Sequence, residues 1–403
     1  MVTLSDVQAA RDRVSEVARH TPLEYSHTFS DMTDAEVHLK LENTQRTGSF
    51  KIRGAVNRIA TLGETEKAAG VVTASAGNHA QGVALAATRA GVDSKIVMPE
   101  HAPIAKVNAT RGYGGGVVLH GEDYNEAQAR AEEIAAAEDR TYVHAFDDEY
   151  VMAGQGTIGL EIAADCPQAD TVVVPIGGGG LIAGVSTAVK GELDDVRVVG
   201  VQAEGASSAA QSLEKGEIHE LDSVDTIADG IATRAVGERP FEVIDDRVDE
   251  VVTVSDEETA LALTLLLERS KTLVEGAGAV ALAAMLGEKF AYDEGEVVVP
   301  ALCGGNIDLN DLTTIVMRGL TQMGRYVRIR TTLKDRPGAL RRLTDVITER
   351  RANIYAIRHD RTNRDVAMND AEVEIDMETR GHDHLDDLIA ELRGDGYEVE
   401  VLS

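Results

Sequence analysis

Over most of its length the chain alternates short runs of valine and isoleucine with longer alanine-rich segments, and this alternation restricts the fold more than any other feature. The segments GVVTAS (70–75), KIVMP (95–99), GVVLH (116–120), TVVVPI (171–176), VRVVGVQAE (196–204) and EVVVPALC (296–303) read as strands. They are rich in β-branched residues and end at glycine, proline or polar positions. Between them, NHAQGVALAATRA (78–90) and YNEAQARAEEIAAAE (124–138) read as helices. Successive strand, helix and strand make βαβ units, because parallel neighbours need a helical crossover. Several strands are almost continuously apolar, as expected when helices cover both faces of a sheet. The predicted class is α/β, with mostly parallel sheets flanked by helices.

The pattern changes near residue 326. From there the order is strand (YVRIRTT), turn (LKDRPG), helix (340–350), strand (NIYAIRH), loop, strand (AEVEIDM), helix (383–393) and strand (YEVEVL). This βαββαβ order is that of a ferredoxin-like unit. Each helix carries an apolar stripe: Leu340, Leu343, Val346 and Ile347 in the first, and Leu385, Leu388, Ile389 and Leu392 in the second. The boundary falls around RGLTQMGR (318–325).

With 403 residues, 43% of them hydrophobic, the chain can fill two or three cores. Its formal charge of −30, from 69 acidic against 39 basic residues, repels nucleic acid and anionic membranes, so neither is expected as a partner. Concentrated salt would screen the self-repulsion, which points to a halophilic source; an acidic protein of ordinary cytosol is the alternative. The sequence has no charged-then-apolar leader and no apolar run of membrane-spanning length, and a cytoplasmic location is expected. Two cysteines, Cys166 and Cys303, are too few for a disulfide framework and fit a reducing compartment.

Three glycine-rich or polar breaks follow strands, where open α/β sheets bind ligands. GGGGL (177–181) lets backbone approach an anion at a helix start, so a phosphate cradle and a tight turn are both open; the entropic cost of four glycines favours ligand contact. It has neither the Lys-Ser/Thr of a Walker loop nor GxGxxG spacing. SAGNH (75–79) offers Ser75, Asn78 and helix-start N–H groups to a carboxylate, although N-capping alone would account for it. In CGGN (303–306), Cys303 is either a reactive thiol or a small buried residue. HDH (382–384) reads as a first helical turn and not as a metal site. The remaining oddity is Lys51 in TGSFKIRGA (47–55), an ammonium between Phe50 and Ile52 at the head of a helical segment. A desolvated lysine has a lowered pKa and forms Schiff bases. Together with a phosphate cradle, a carboxylate seat and no metal, it points to pyridoxal phosphate and an amino acid.

SFKIRGA, SAGNHAQG, GGGGL, IADGIA and LCGGN, in that order, resemble the motifs of the pyridoxal-phosphate-dependent threonine ammonia-lyases (threonine or serine dehydratases). These enzymes have the tryptophan-synthase-β-like fold type II. The tail, with DRPGAL (335–340), resembles an ACT domain, a small regulatory unit that binds amino acids. The resemblance implies two open twisted sheets, with a large cofactor-binding domain from 1–45 and 149–320, a small cofactor- and substrate-binding domain over 46–148, and an ACT domain over 326–403. It makes Lys51 the Schiff-base lysine and the catalytic base. Phe50 and Gly230 would flank the cofactor ring, and Asn78 would bond its 3′-oxygen. Gly177, Gly178, Gly179, Gly180 and Leu181 would hold the phosphate, and Cys303 would sit beside the pyridine nitrogen. Ser75, Ala76, Gly77, Asn78 and His79 would grip the substrate.

The implied reaction is β-elimination and deamination of L-threonine, and of L-serine, to 2-oxobutanoate or pyruvate and ammonia, with isoleucine biosynthesis as one setting. A small-molecule effector at the ACT unit and a homodimer or homotetramer are implied too. Three positions bear on the comparison with relatives. Cys303 stands where a serine is more common, although some serine dehydratases have cysteine. Racemases of this fold carry a serine where this chain has Ala76, which argues against racemisation. Relatives with a divalent cation use a glutamate and an aspartate six residues later; here Glu204 is followed by Ala210, so no metal is expected. Racemase or β-replacement activity on the same fold, or a non-catalytic amino-acid sensor, are the competing readings.

Overall fold

The computed structural model describes residues 1–361, 367 and 369–402. They form two compact units, Met1–Leu309 and Asn310–Ser403.

The first unit holds two sheets. A six-stranded sheet has the order β1 (Leu23–Tyr25), β2 (Glu36–Lys40), β10 (Val297–Pro300), β7 (Thr171–Pro175), β8 (Arg197–Ala203) and β9 (Glu250–Val254). All neighbours in it are parallel except β1, which pairs antiparallel with β2 at one edge. A four-stranded parallel sheet has the order β5 (Gly116–Leu119), β4 (Ser94–Met98), β3 (Val71–Ala74) and β6 (Thr141–Tyr142). Every residue of β3, β7 and β10 is buried, hence their unbroken apolar sequences. The six segments read as strands from sequence all form strands. β1 and β6 are too short to stand out, and β9 is only half-buried along most of its length.

The helix Glu149–Asp165 packs against the helices Lys51–Ala60 and Gly180–Glu192. Only glycine permits the closest crossing: a methyl at Gly184 would lie 2.1 Å from the Met152 carbonyl oxygen. Beneath the helix that starts at Lys51 lies a buried ion cluster. Arg53 donates to both Glu42 oxygens (2.9 and 2.7 Å) and both Glu161 oxygens (2.7 and 2.9 Å). Lys40 donates to Glu161 (2.7 Å) and to the Thr21 carbonyl (2.8 Å). Two cations face two carboxylates, so the charge is balanced where desolvation would penalise an excess. The cluster ties this helix to the end of β2 and to the helix Glu149–Asp165.

The second unit carries an antiparallel sheet of order β12 (Asn353–Asp360), β13 (Asp370–Glu378), β11 (Tyr326–Lys334) and β14 (Val399–Val401). With the helices Ala339–Glu349 and His382–Gly394, it has the βαββαβ order expected from sequence. Leu343, Ile347, Leu388, Ile389 and Leu392 of the predicted stripes are buried against Val327, Ile329, Val373 and Ile375. Charged residues stand opposite one another across β11 and β13, including Arg330–Glu374 (2.8 Å) and Lys334–Asp370 (2.8 Å). The expected loop before β13 falls largely on 362–366 and 368, outside the described residues. His382 opens its helix as expected; its Nε2 meets the Gln322 carbonyl (2.9 Å), and His384 Nε2 meets that of Arg350 (2.7 Å). No helix among the described residues is long and apolar enough to cross a membrane.

Candidate active site

The three breaks singled out from sequence follow β3, β7 and β10 and converge on one cavity of about 940 Å³ in the first unit. Its lining includes every site residue expected from sequence: Phe50, Lys51, Ser75 to His79, Gly177 to Leu181, Gly230 and Cys303. Parallel strands deliver these loops from their carboxyl ends, which explains why residues so distant in sequence meet.

Lys51 is the first residue of its helix, and its Nζ donates to the Ala145 carbonyl at 3.1 Å, 5.1 Å from the Phe50 ring centre. Burial pushes its ammonium down to about 8, with Cys303 and Glu275 partly opposing the fall. The segment before it is stitched to the Cys303 loop: Phe50 N–H donates to the Cys303 carbonyl (3.2 Å), and Gly305 N–H to the Gly48 carbonyl (2.8 Å). Gly48 has φ +72°, the left-handed turn residue that starts this approach. In the cofactor-free protein, reductive methylation of Lys51 is expected to rise through a midpoint near pH 8, whereas an ordinary lysine titrates near 10.5. Peptide mapping across a pH series checks this.

At the break after β3, Ser75 does not cap the helix Asn78–Ala90; its hydroxyl accepts from Gly77 N–H instead (3.1 Å). The helix start therefore has no side-chain cap, and its first N–H groups remain for an anionic ligand. His79 is buried, with Nε2–H donating to the Val143 carbonyl (3.0 Å). Burial first, then Lys51, push it to about 3, so the imidazole is neutral. Ala76 presents only a methyl group.

After β7, Gly179 has φ +90° and opens the helix Gly180–Glu192. Its neighbours are constrained by packing: a methyl at Gly178 would lie 2.3 Å from the Phe146 ring, and one at Gly180 2.7 Å from the Phe146 carbonyl oxygen. The glycines thus serve close packing as well as any anion at the helix start. Cys303 is buried and its thiol donates to the Ala277 carbonyl (3.2 Å). Burial, reinforced by Glu275, pushes its pKa well up, so this position is neutral.

Two residues that sequence reasoning left without a role join the site. Glu275, in VEGAGA (274–279), is buried and accepts from Asn78 Nδ2 at 2.7 Å. Asn306, the last residue of CGGN, donates from Nδ2 to Asn78 Oδ1 (2.7 Å) and to the Thr47 carbonyl (2.6 Å). The signal for Glu275 was of the kind that exposed Lys51, a charge with apolar neighbours on both sides. A buried amine, a glycine-lined helix start, a second uncapped helix start, a fixed amide and a neutral thiol suit pyridoxal phosphate with an amino acid.

Residues 14–304 match the family described as pyridoxal-phosphate dependent enzyme, and residues 322–395 match an ACT domain. The chain belongs to the pyridoxal-phosphate-dependent enzyme family and ends in an ACT domain. It is 48% identical over 402 residues, all of both chains, to the L-threonine ammonia-lyase of Geobacter sulfurreducens. Among solved structures it resembles processed threonine deaminase isoform 2 of Solanum lycopersicum (TM-score 0.76, 40% identity, 78% of this chain and 86% of that one). It also resembles maize serine racemase (TM-score 0.75, 34% identity, 80% of this chain and 98% of that one).

Proposed function

We infer that this chain is a pyridoxal-phosphate-dependent threonine ammonia-lyase, converting L-threonine to 2-oxobutanoate and ammonia. The observation that carries the reading is the full-length 48% identity to an L-threonine ammonia-lyase in a chain whose buried Lys51 lines the cavity. When bound, the cofactor supplies an electron-withdrawing ring that acidifies the substrate's α-hydrogen. The chain's own residues do the rest. Lys51 Nζ, with a pKa near 8, anchors the cofactor and is the group to take and hold the α-proton near neutral pH. Ser75 and the uncapped start of the helix Asn78–Ala90 orient the substrate carboxylate. The start of the helix Gly180–Glu192 would hold the cofactor phosphate through backbone N–H groups, and Asn78 would bond its 3′-oxygen. Phe50 and Gly230, both lining the cavity, would lie beside the ring. Cys303 would offer the cofactor ring a neutral thiol and no charged partner, so the ring would be a weaker electron sink, which favours loss of the β-hydroxyl.

A racemase reading draws on the maize structure. Ala76 opposes it, because a methyl group cannot exchange a proton on the face opposite Lys51.

The finer assignments rest on composition and resemblance. They are a cofactor-binding body split between 1–45 with 149–320 and 46–148, an amino-acid effector at 326–403, a homodimer or homotetramer, a cytoplasmic enzyme of isoleucine biosynthesis, and adaptation to concentrated salt. One assay series addresses function and regulation: release of 2-oxo acid from L-threonine and L-serine, at low and molar salt, with isoleucine, valine or nucleotide added. Threonine-dependent release that an added amino acid modulates is the expected result. No release from either substrate at any salt concentration overturns the reading.

A further inference from the structure

Three side chains at the edge of the cavity form a hydrogen-bonded line whose direction is set from the Thr47 end. The Thr47 carbonyl can only accept, so Asn306 must turn its NH₂ group toward it (2.6 Å). The second N–H of that group then reaches Asn78 Oδ1 (2.7 Å). With its Oδ1 taken by Asn306, Asn78 directs its own NH₂ at Glu275 Oε1 (2.7 Å), which accepts. Neither amide can flip without setting two like groups face to face. One N–H of Asn78 is spent on Glu275, and the other has no protein partner among the described residues.

We propose that Glu275 and Asn306 are positioning residues for the reaction, holding the Asn78 amide so that it offers an N–H, and never its carbonyl oxygen, to the cofactor's 3′-oxygen. This rests on the assignment of Asn78 to that oxygen. Two further observations support it. Glu275 N–H donates to the Gly304 carbonyl (3.0 Å), so the glutamate and the loop bearing Asn306 are held in register. Glu275 follows a π-helical turn, Leu266–Ser270, ended by Lys271 at φ +56°, an irregular lead-in of the kind found at functional sites.

The carboxylate also has an electrostatic part. Burial first, and then Asp229, push Glu275 up to about 7, against the Asn78 bond, Lys106 and the Asn306 backbone N–H. Lys51 and Cys303 face it as well. Its charge therefore changes within the working pH range, one amide away from the cofactor oxygen.

The test reads the visible absorbance of the resting holoenzyme, without substrate, across a pH series, together with the dissociation constant of the cofactor. Asn306→Asp removes both donors and adds a charge; the 3′-oxygen loses its N–H, and the midpoint should move up by about one pH unit. Glu275→Gln keeps the side chain's shape and removes the negative charge, so the midpoint should move down. Cofactor affinity should fall about tenfold in Asn306→Asp. Asn78→Ala is measured in parallel. If it leaves both readouts unchanged, the assignment of Asn78 fails. If Asn78→Ala shifts them while Asn306→Asp and Glu275→Gln keep the wild-type midpoint, or move it in the same direction, the positioning role is overturned. A purely structural role would lower the thermal midpoint of the holoenzyme and leave the absorbance midpoint in place.

Discussion

Replacing Lys51 by alanine is expected to abolish turnover, by at least about 10⁴-fold, while leaving the chain folded. Neither His79, Cys303 nor Glu275 can take over the proton transfer. His79 is held at about 3 and committed to the Val143 carbonyl, and the Cys303 thiol is held protonated by burial. Glu275 is committed to Asn78. The fold should tolerate the loss, because among the described residues the amine's one hydrogen bond is to the Ala145 carbonyl and its ammonium is costly to bury. The pH dependence has a definite sign. The folded-state pKa of Lys51 is depressed from 10.5 to about 8, so its penalty on the cofactor-free fold is absent above 10.5 and fully present below about 8. Cofactor-free Lys51→Ala should therefore melt no lower than cofactor-free wild type at pH 7, and the difference should vanish towards pH 10.5. Thermal unfolding at the two pH values, with a 2-oxo acid assay at saturating cofactor, checks both halves.

Two residues further along the same segment, Arg53→Met is expected to have the opposite profile, a folding defect. The guanidinium binds two carboxylates through four hydrogen bonds inside the protein. Its loss leaves Glu42 and Glu161 with Lys40 as the one remaining cation of the cluster. Breaking a buried ion pair in this way costs about 3–5 kcal/mol, a large share of a domain's stability. Arg53→Lys should recover little, because an ammonium cannot reproduce the forked contact to two carboxylates. Burial alone would raise the Glu161 pKa, but Arg53 and Lys40 outweigh it and hold it low. This contribution is present above the usual carboxylate range and is lost as the pH falls through it. Denaturant unfolding of the variants at neutral and acidic pH measures the effect.

The fold was legible wherever burial is two-sided. β3, β7 and β10 are covered on both faces, and their valine runs could be read directly. The second unit was legible because each of its helices has one apolar stripe. The glycine loop was read correctly as a special backbone, but only part of the reason was accessible. That Phe146 fills the space beside Gly178 and Gly180 depends on a segment some thirty residues earlier, and no local pattern encodes it. Glu275 and Asn306 escaped for the same reason. Each has a role only once the ends of β3 and β10 meet, because their partners Asn78 and Thr47 lie more than a hundred residues away. Lys51 could be found because its anomaly is local, a charge flanked by Phe50 and Ile52.

Elimination by Lys51 is decided by the product balance of purified holoenzyme given L-threonine, with ammonia, 2-oxobutanoate and the configuration of residual threonine quantified together. One ammonia and one 2-oxobutanoate per threonine consumed are expected, with residual substrate that stays wholly L and no product from Lys51→Ala. Accumulation of D-configured substrate, or of a product that keeps its amino group without release of ammonia, would contradict elimination by Lys51.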